Sequence, residues 1–477
     1  MKKILRPILC GGVLAALLCT PSLAAEQGDF SLLVNGEPVA FTDAAPVLKD
    51  GRSFLPVATT FQALGFAQED IVWNEETQSV TASKDGTTIS LTVGDSAVTW
   101  TGPSWSQTSE DGTSGSAGGS GGIAYLDAAP YIDPATNRTY IPVGLVADIL
   151  GCRVAWDGAT STVIIDDVDA ILAENTETYE RMDQYLDYAR KYSQGNYQVE
   201  GSYLLTSAPG EMESGAEIIH TVGGGYSMVT NQTAMQFAMD MSIGGTIMGA
   251  PIAPTDMNLD MRADLDTGML YLYFQSEDLE QLMNNNVQVN GESVEFQIPD
   301  QWYSLDMKAV YDEAYGPGFY EELIALSTAS QEAAFAQTLE ELLKSDTLIL
   351  TSTATTSDYL EALNQLLGDS HFQKSGSTYT STLEQDGVTI LFHLYTSGGQ
   401  VNGYGMEMTA SETTGMEMTM TMEMKGDDMS LLLEMAGMTM EMDGTYRPSS
   451  TAPETEPPAG ATVVDLWELL TTPVSEL

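Results

Sequence analysis

Ten methionines stand at every second position within three short runs near the C-terminal end of the chain. They are Met406 and Met408; Met416, Met418, Met420, Met422 and Met424; and Met438, Met440 and Met442. Met235, Met239, Met241, Met257 and Met261 partly echo the pattern. In a strand, successive side chains alternate between faces, so period two puts each run on one face. Glu407, Thr409, Glu417, Thr419, Thr421 and Glu423 then point the other way, toward solvent. Thioethers are soft ligands that favour Cu(I). They are also unbranched and polarizable, so they adapt to variable shapes. Three readings follow: an ordinary apolar core, a groove for lipid tails or hydrophobic peptide, and a copper site. Core filling ranks first. Copper ranks last, because no His or Cys stands among the methionines and they spread over many residues. These ten methionines are the candidate ligand-binding residues, and neither metal ligands nor a cofactor is assigned.

Other chemistry is sparse. The three histidines, His220, His371 and His393, lie far apart in the chain and in or beside strand-like stretches, so each reads as structural. No His-Glu-x-x-His, Gly-x-Ser-x-Gly or phosphate-binding Gly-Lys-Ser/Thr motif is present. Carboxylates are so abundant that any pair could be named acid and base, which makes no pair informative. No catalytic residue is assigned, and the chain reads as a non-enzyme. The alternative is a copper-handling protein or an extracellular hydrolase whose site is assembled from dispersed residues.

The elements that would position such residues begin after a leader. Lys2, Lys3 and Arg6 precede the apolar run Ile8–Leu18 and the small-x-small site Ser22-Leu23-Ala24. This reads as a signal peptide over residues 1–25, which implies secretion to the cell envelope or beyond. Cys10 and Cys19 leave with it. Cys152 remains alone and reads as a small buried side chain. The chain carries 17 basic and 68 acidic residues, a net charge of −51, and more negative still without the leader. Such a surface repels nucleic acid and anionic membranes. No later stretch is long and apolar enough for a transmembrane helix.

The mature chain opens with an internal repeat. Ala44-Ala45-Pro46 leads to Arg52-Ser53-Phe54-Leu55-Pro56-Val57, then Leu64-Gly65-Phe66, Trp73-Asn74 and Thr77-Gln78-Ser79-Val80. Ala128-Ala129-Pro130 leads to Arg138-Thr139-Tyr140-Ile141-Pro142-Val143, then Leu150-Gly151-Cys152, Trp156-Asp157 and Thr160-Ser161-Thr162-Val163. Each copy reads as a strand, a short helix begun by proline and ended by glycine, and two strands joined by a polar turn. The helices are expected at Pro56–Leu64 and Pro142–Leu150. A Ser/Gly-rich insertion at 106–122 reads as a surface loop. Trp100 and Trp105, just before it, read as cover for a sheet edge rather than a glycan contact.

This repeat resembles the copper amine oxidase N-terminal domain-like family over roughly Ser31–Asp166. That family is a stalk module, often in tandem, of secreted and envelope proteins of Gram-positive-type bacteria. The resemblance implies a stalk and not the oxidase. Oxidase chemistry needs three imidazoles and a quinone-forming tyrosine, and Asn196-Tyr197 is followed by Gln198 rather than an acidic residue.

The expected fold class is α+β. A small tandem-repeat α+β domain (26–167) is followed by a helical linker (168–195), then by a Met-rich β domain (196–447). Strand blocks around a central group of helices suggest a large curved antiparallel sheet with helices on one face. A long helix is expected at Phe319–Lys344. That order resembles the bacterial lipoprotein-carrier fold, at the level of fold only. The tail, 448–477, is rich in Pro, Ser, Thr and Glu and reads as disordered with a short helix near Val463–Leu470. The function these features suggest is a secreted, non-enzymatic envelope binding protein. Its expected partners are a cell-wall or envelope component and a hydrophobic small molecule or lipid.

Overall fold

The computed structural model describes residues 31–49, 51–102, 106–107, 115–116, 121–126, 128–142, 151–192, 195–207, 210–211, 217–247, 250–286, 288–289, 292–293, 297–321, 323–324, 333–345, 348–385, 387–410, 417–435 and 437–471. The leader, Met416, Trp105, the helix expected at Pro142–Leu150 and most of the Ser/Gly insertion lie outside them. The chain divides into two compact units: Met1–Thr176 with Glu340–Ala362, and Glu177–Leu339 with Leu363–Leu477. The break between Thr176 and Glu177 falls within the stretch expected as a linker, 168–195, and a segment from deep in the second half, Glu340–Ala362, joins the first unit.

In the first unit, the strands Arg52–Pro56 and Arg138–Pro142 pair antiparallel, with Leu55 opposite Ile141. Those are the two stretches that read alike in sequence. Both Leu55 and Ile141 are fully buried. A second sheet is a meander of Gly122–Tyr125, Ala97–Thr101, Thr87–Thr92, Ser79–Lys84 and Ile71–Asn74. A third sheet runs Ser31–Val34 parallel to Thr162–Asp166. Leu32, Phe61, Ile89, Leu91 and Ile165 meet in one core between them. The helix Val57–Ala63 forms as expected, and Gly65 follows it at φ +84°. That left-handed conformation is cheap only for glycine. Pro56 is the extended residue before the helix rather than its first turn. Trp100, directly opposite Gly122 on an inner strand, is buried in the same core.

The segment Glu340–Ala362 is tied to this unit by charge-assisted hydrogen bonds. Arg153 donates to the carbonyls of Leu343 and Leu348. The Ser352 amide donates to Asp157 at 3.0 Å, and the Thr356 amide donates to buried Asp166 at 3.0 Å. Each links residues almost two hundred positions apart, beyond the reach of any local pattern.

The second unit is built on one fifteen-stranded sheet. From one edge its strands are Gln373–Ser375, Thr378–Gln385, Val388–Ser397, Gln400–Ala410, Met418–Lys425, Asp428–Met435 and Met438–Pro448. It continues with Tyr197–Ser207, Glu217–Thr230, Ala234–Ile247, Ala250–Asp264, Met269–Gln275, Trp302–Asp306 and Val463–Asp465. The short strand Gly210–Glu211 adds to Glu217–Thr230 off this path. Every pair along the sheet is antiparallel except the last, Trp302–Asp306 with Val463–Asp465. Tyr197–Ser207 pairs with Met438–Pro448 over its full length, which joins the early strands to the late ones. At that seam Gly201 opposes Gly444, and a Cβ on either would collide with Tyr226. The glycines make room for that ring.

The strand Glu217–Thr230 runs unbroken through Gly223-Gly224-Gly225. Two expectations change here. The helix Met307–Tyr315 was not expected from the sequence, and of the helix expected over Phe319–Lys344 the C-terminal part, Phe335–Lys344, is in place. The tail expected to be disordered is instead fixed on the sheet. Arg262, 9% exposed in its side chain, lies 2.6 Å from Glu454 and donates to the Glu456 carbonyl. Its guanidinium sits 4.8 Å from the Trp302 ring centroid. The chain then adds Val463–Asp465 as an edge strand before the helix Leu466–Thr471.

Candidate hydrophobic binding face

The register of the sheet brings the methionine runs together. Met406 lies opposite Met422 and Met408 opposite Met420. Met418 lies opposite Met435, and Met435 opposite Met438. Directly opposed residues in an antiparallel pair share a face. Leu431 and Leu433 fill the places between Met422 and Met442 and between Met420 and Met440. The row runs on into Tyr203 and Leu205 of the next strand, and the other way into Phe392 and Ile390. Sequence spacing found the methionines. It missed these partners, because Leu431-Leu432-Leu433 is continuous and shows no alternation.

The face is closed at one end and open at the other. Met406, Met422, Met424 and Met429 are buried, each at 5% exposure or less. The helix Glu180–Arg190 covers them: Tyr185 meets Tyr404 edge-on at 5.1 Å and Phe392 at 6.2 Å. Tyr188 and Tyr192 both donate to the Gly426 carbonyl, and Tyr192 also donates to Asp427 at 2.8 Å. Burial pushes the Tyr188 hydroxyl up to about 12 and raises Tyr404 well above its ordinary value, so both stay neutral. Along the same strands, Met408, Met418, Met420, Met435, Met440 and Met442 are only half-buried, and Met438 is 40% exposed.

The opposite face is polar. Glu407, Thr409, Thr419, Thr421 and Glu423 lie on it, with Tyr395 donating to Glu423 at 2.5 Å. His393 joins this polar row, 2.8 Å from the Thr380 hydroxyl and 3.3 Å from Glu407. His371 lies 3.8 Å from Glu177, and His220 is exposed on the strand Glu217–Thr230. The three imidazoles therefore sit on separate elements. Cys152 is buried beside Leu64 and Phe66, and burial pushes its thiol up to about 12. Two small concavities of about 130 Å³ each lie elsewhere, one around Arg181, Lys374 and Tyr379 and one around Lys84 and Cys152.

With this geometry in hand, comparison places the first unit. The family model described as the copper amine oxidase N-terminal domain matches residues 33–165. That segment is similar to the copper amine oxidase N-terminal domain. The copper in the family's name finds no donors there: the domain contains no histidine, and its one cysteine is the buried Cys152 thiol. No curated protein matches the chain. Among solved structures, a β-barrel-like protein of a domain of unknown function from Brucella abortus aligns at 11% identity. That alignment covers 55% of this chain and 98% of that one, at a TM-score of 0.18. Domains LG4-5 of the mouse laminin alpha1 chain align at 7% identity over 56% of this chain and 79% of that one, at a TM-score of 0.08. Neither superposes closely enough to carry an argument.

Proposed function

We propose that this is a secreted, non-enzymatic binding protein of the cell envelope. In this reading the copper amine oxidase N-terminal domain is a tandem of two copies and serves as stalk or wall-facing module. The second unit holds a hydrophobic ligand on the methionine face, with helices gathered on that same side of a curved sheet. This is the arrangement the likeness to lipoprotein carriers suggests.

The observation that supports it is the run of half-buried thioethers and leucines across neighbouring strands, with the charged groups of those strands on the opposite face. A core fills its apolar face; this one leaves its open end half-covered. An acyl chain suits the face better than a peptide. The strands are already paired on both sides, so a peptide laid on them would leave its own N–H and C=O groups without partners. An acyl chain has none to satisfy, and flexible thioethers adapt to its shape. No described helix is long and apolar enough to cross a membrane.

The test is native mass spectrometry of the secreted protein together with titration of a fluorescent fatty acid. Met418→Asp with Met420→Asp places two charges on the open end, where solvent already reaches. The expected result is a co-purified mass in the lipid range and a probe affinity that falls about tenfold or more in the variant. A protein that carries no lipid and takes up no probe would return the methionines to core filling.

A further inference from the structure

We propose that the open end of the methionine face is a site of reversible oxidation by hydroperoxides, and that its oxidation releases the bound ligand. The release step rests on the function proposed above; the oxidation step does not.

Of the eleven methionines described on this face, ten fall into two groups by position along the strands, and half-buried Met442 lies between the groups. Met406, Met422, Met424 and Met429 lie under the helix Glu180–Arg190 and its tyrosines and are buried. Met408, Met418, Met420, Met435 and Met440 are half-buried at the other end, and Met438 is 40% exposed. They pair across strands, Met408 with Met420 and Met435 with both Met418 and Met438, so they form one patch. Thioether oxidation follows access of the oxidant to sulfur. The sulfur lone pair attacks the outer oxygen of the peroxide, the O–O bond breaks, and an S=O bond forms. The departing alkoxide or hydroxide takes the proton and leaves as alcohol or water. Sulfur is oxidised and the peroxide is reduced.

The consequence follows from where the patch lies. Each sulfoxide places a strong dipole on the methionine side of these strands, where no charged side chain stands. An acyl chain cannot hydrogen-bond to it, so seating the chain would strip water from the S=O group without replacement. The buried group is spared, so the packing under the helix persists while the binding end turns polar. A thiol-dependent methionine sulfoxide reductase reverses the change: two thiols are oxidised to a disulfide, the S=O bond breaks, the oxygen leaves as water and the thioether returns.

The experiment uses the whole protein, treated with hydrogen peroxide and mapped by peptide mass spectrometry over time. The six open-end methionines are expected to gain 16 Da about tenfold faster than Met406, Met422, Met424 and Met429. In denaturant all ten should react alike. Equal rates in the folded protein would overturn the proposal. Fluorescent fatty acid affinity should fall about tenfold after treatment while the melting temperature holds. Unchanged affinity would overturn the release step, and a collapsed melting temperature would mark damage in place of a switch. In a variant with leucine at the six positions, peroxide should leave the variant's own probe affinity where it stood before treatment; a peroxide-driven loss in that variant would also overturn the release step. If the untreated protein takes up no probe, the binding function fails, and the oxidation map still decides the modification.

Discussion

Asp157 is a buried carboxylate at the end of an edge strand, and burial alone would push its carboxyl up. Hydrogen bonds from the Ser352 and Ala159 amides and from the Thr160 hydroxyl outweigh that and hold it at about 2. A carboxyl depressed in the fold stabilises it above the ordinary aspartate range, and that contribution is lost as pH falls through the folded value. Asp157→Asn should therefore cost about 1–3 kcal/mol in urea unfolding at pH 7, and progressively less below about pH 4. An equal cost at pH 7 and pH 3 would mean that shape, not charge, is what matters there. The sequence carried half of this site. Trp156-Asp157 followed by Thr160 reads as a strand running into a polar turn, and so it is, with the aspartate bonding its own turn. The Ser352 amide was invisible, because nothing local marks a partner so far along the chain. The methionines show the same division. Their spacing revealed a shared face, but which leucines and tyrosines complete it depended on register, which spacing alone does not set.

Elements with strong periodicity were legible almost to the residue. The helix expected at Pro56–Leu64 forms over Val57–Ala63, and Met438, Met440 and Met442 share one strand as their period-two spacing requires. The tail was misread because composition is a local property and its anchor is remote. Pro, Ser, Thr and Glu cannot build a core of their own, yet here they lie against a sheet that is already formed. Arg262 holds Glu454 and the Glu456 carbonyl, and Trp302 is buried at 5% exposure beneath its guanidinium. Ending the chain after Pro448 should strip Arg262 of its carboxylate partner on the tail and remove the strand paired to Trp302–Asp306. A loss of about 2–3 kcal/mol corresponds to roughly 3–5 °C in melting temperature for a unit of this size. Tryptophan emission should also shift to the red as Trp302 meets water. A truncated protein that melts with the full chain would show the tail to be passive.

At the scale of the molecule, charge is the property that sequence states most directly and that folding alters least. A net charge of −51 spread over a chain with 17 basic residues means that most carboxylates have no cation to meet. The ion pairs that do form are mostly at the surface, such as Arg138–Asp43 and Lys344–Glu340. Pairs of that kind contribute about 0–1 kcal/mol each and weaken in salt. Repulsion among the remaining carboxylates opposes the compact state and also weakens in salt, as the screening length drops from about 30 Å at 0.01 M to about 3 Å at 1 M. The two effects have opposite signs, and the excess of carboxylates decides which one wins. The melting temperature should therefore rise by several degrees between about 10 mM and 500 mM sodium chloride, a salt with little effect on apolar burial, with most of the gain at the low end where screening changes fastest. Differential scanning calorimetry across that series reads the sign directly. A melting temperature that falls with salt would mean that the few ion pairs outweigh the unpaired carboxylates. The acidic coat would then be organised by its cations rather than merely solvated.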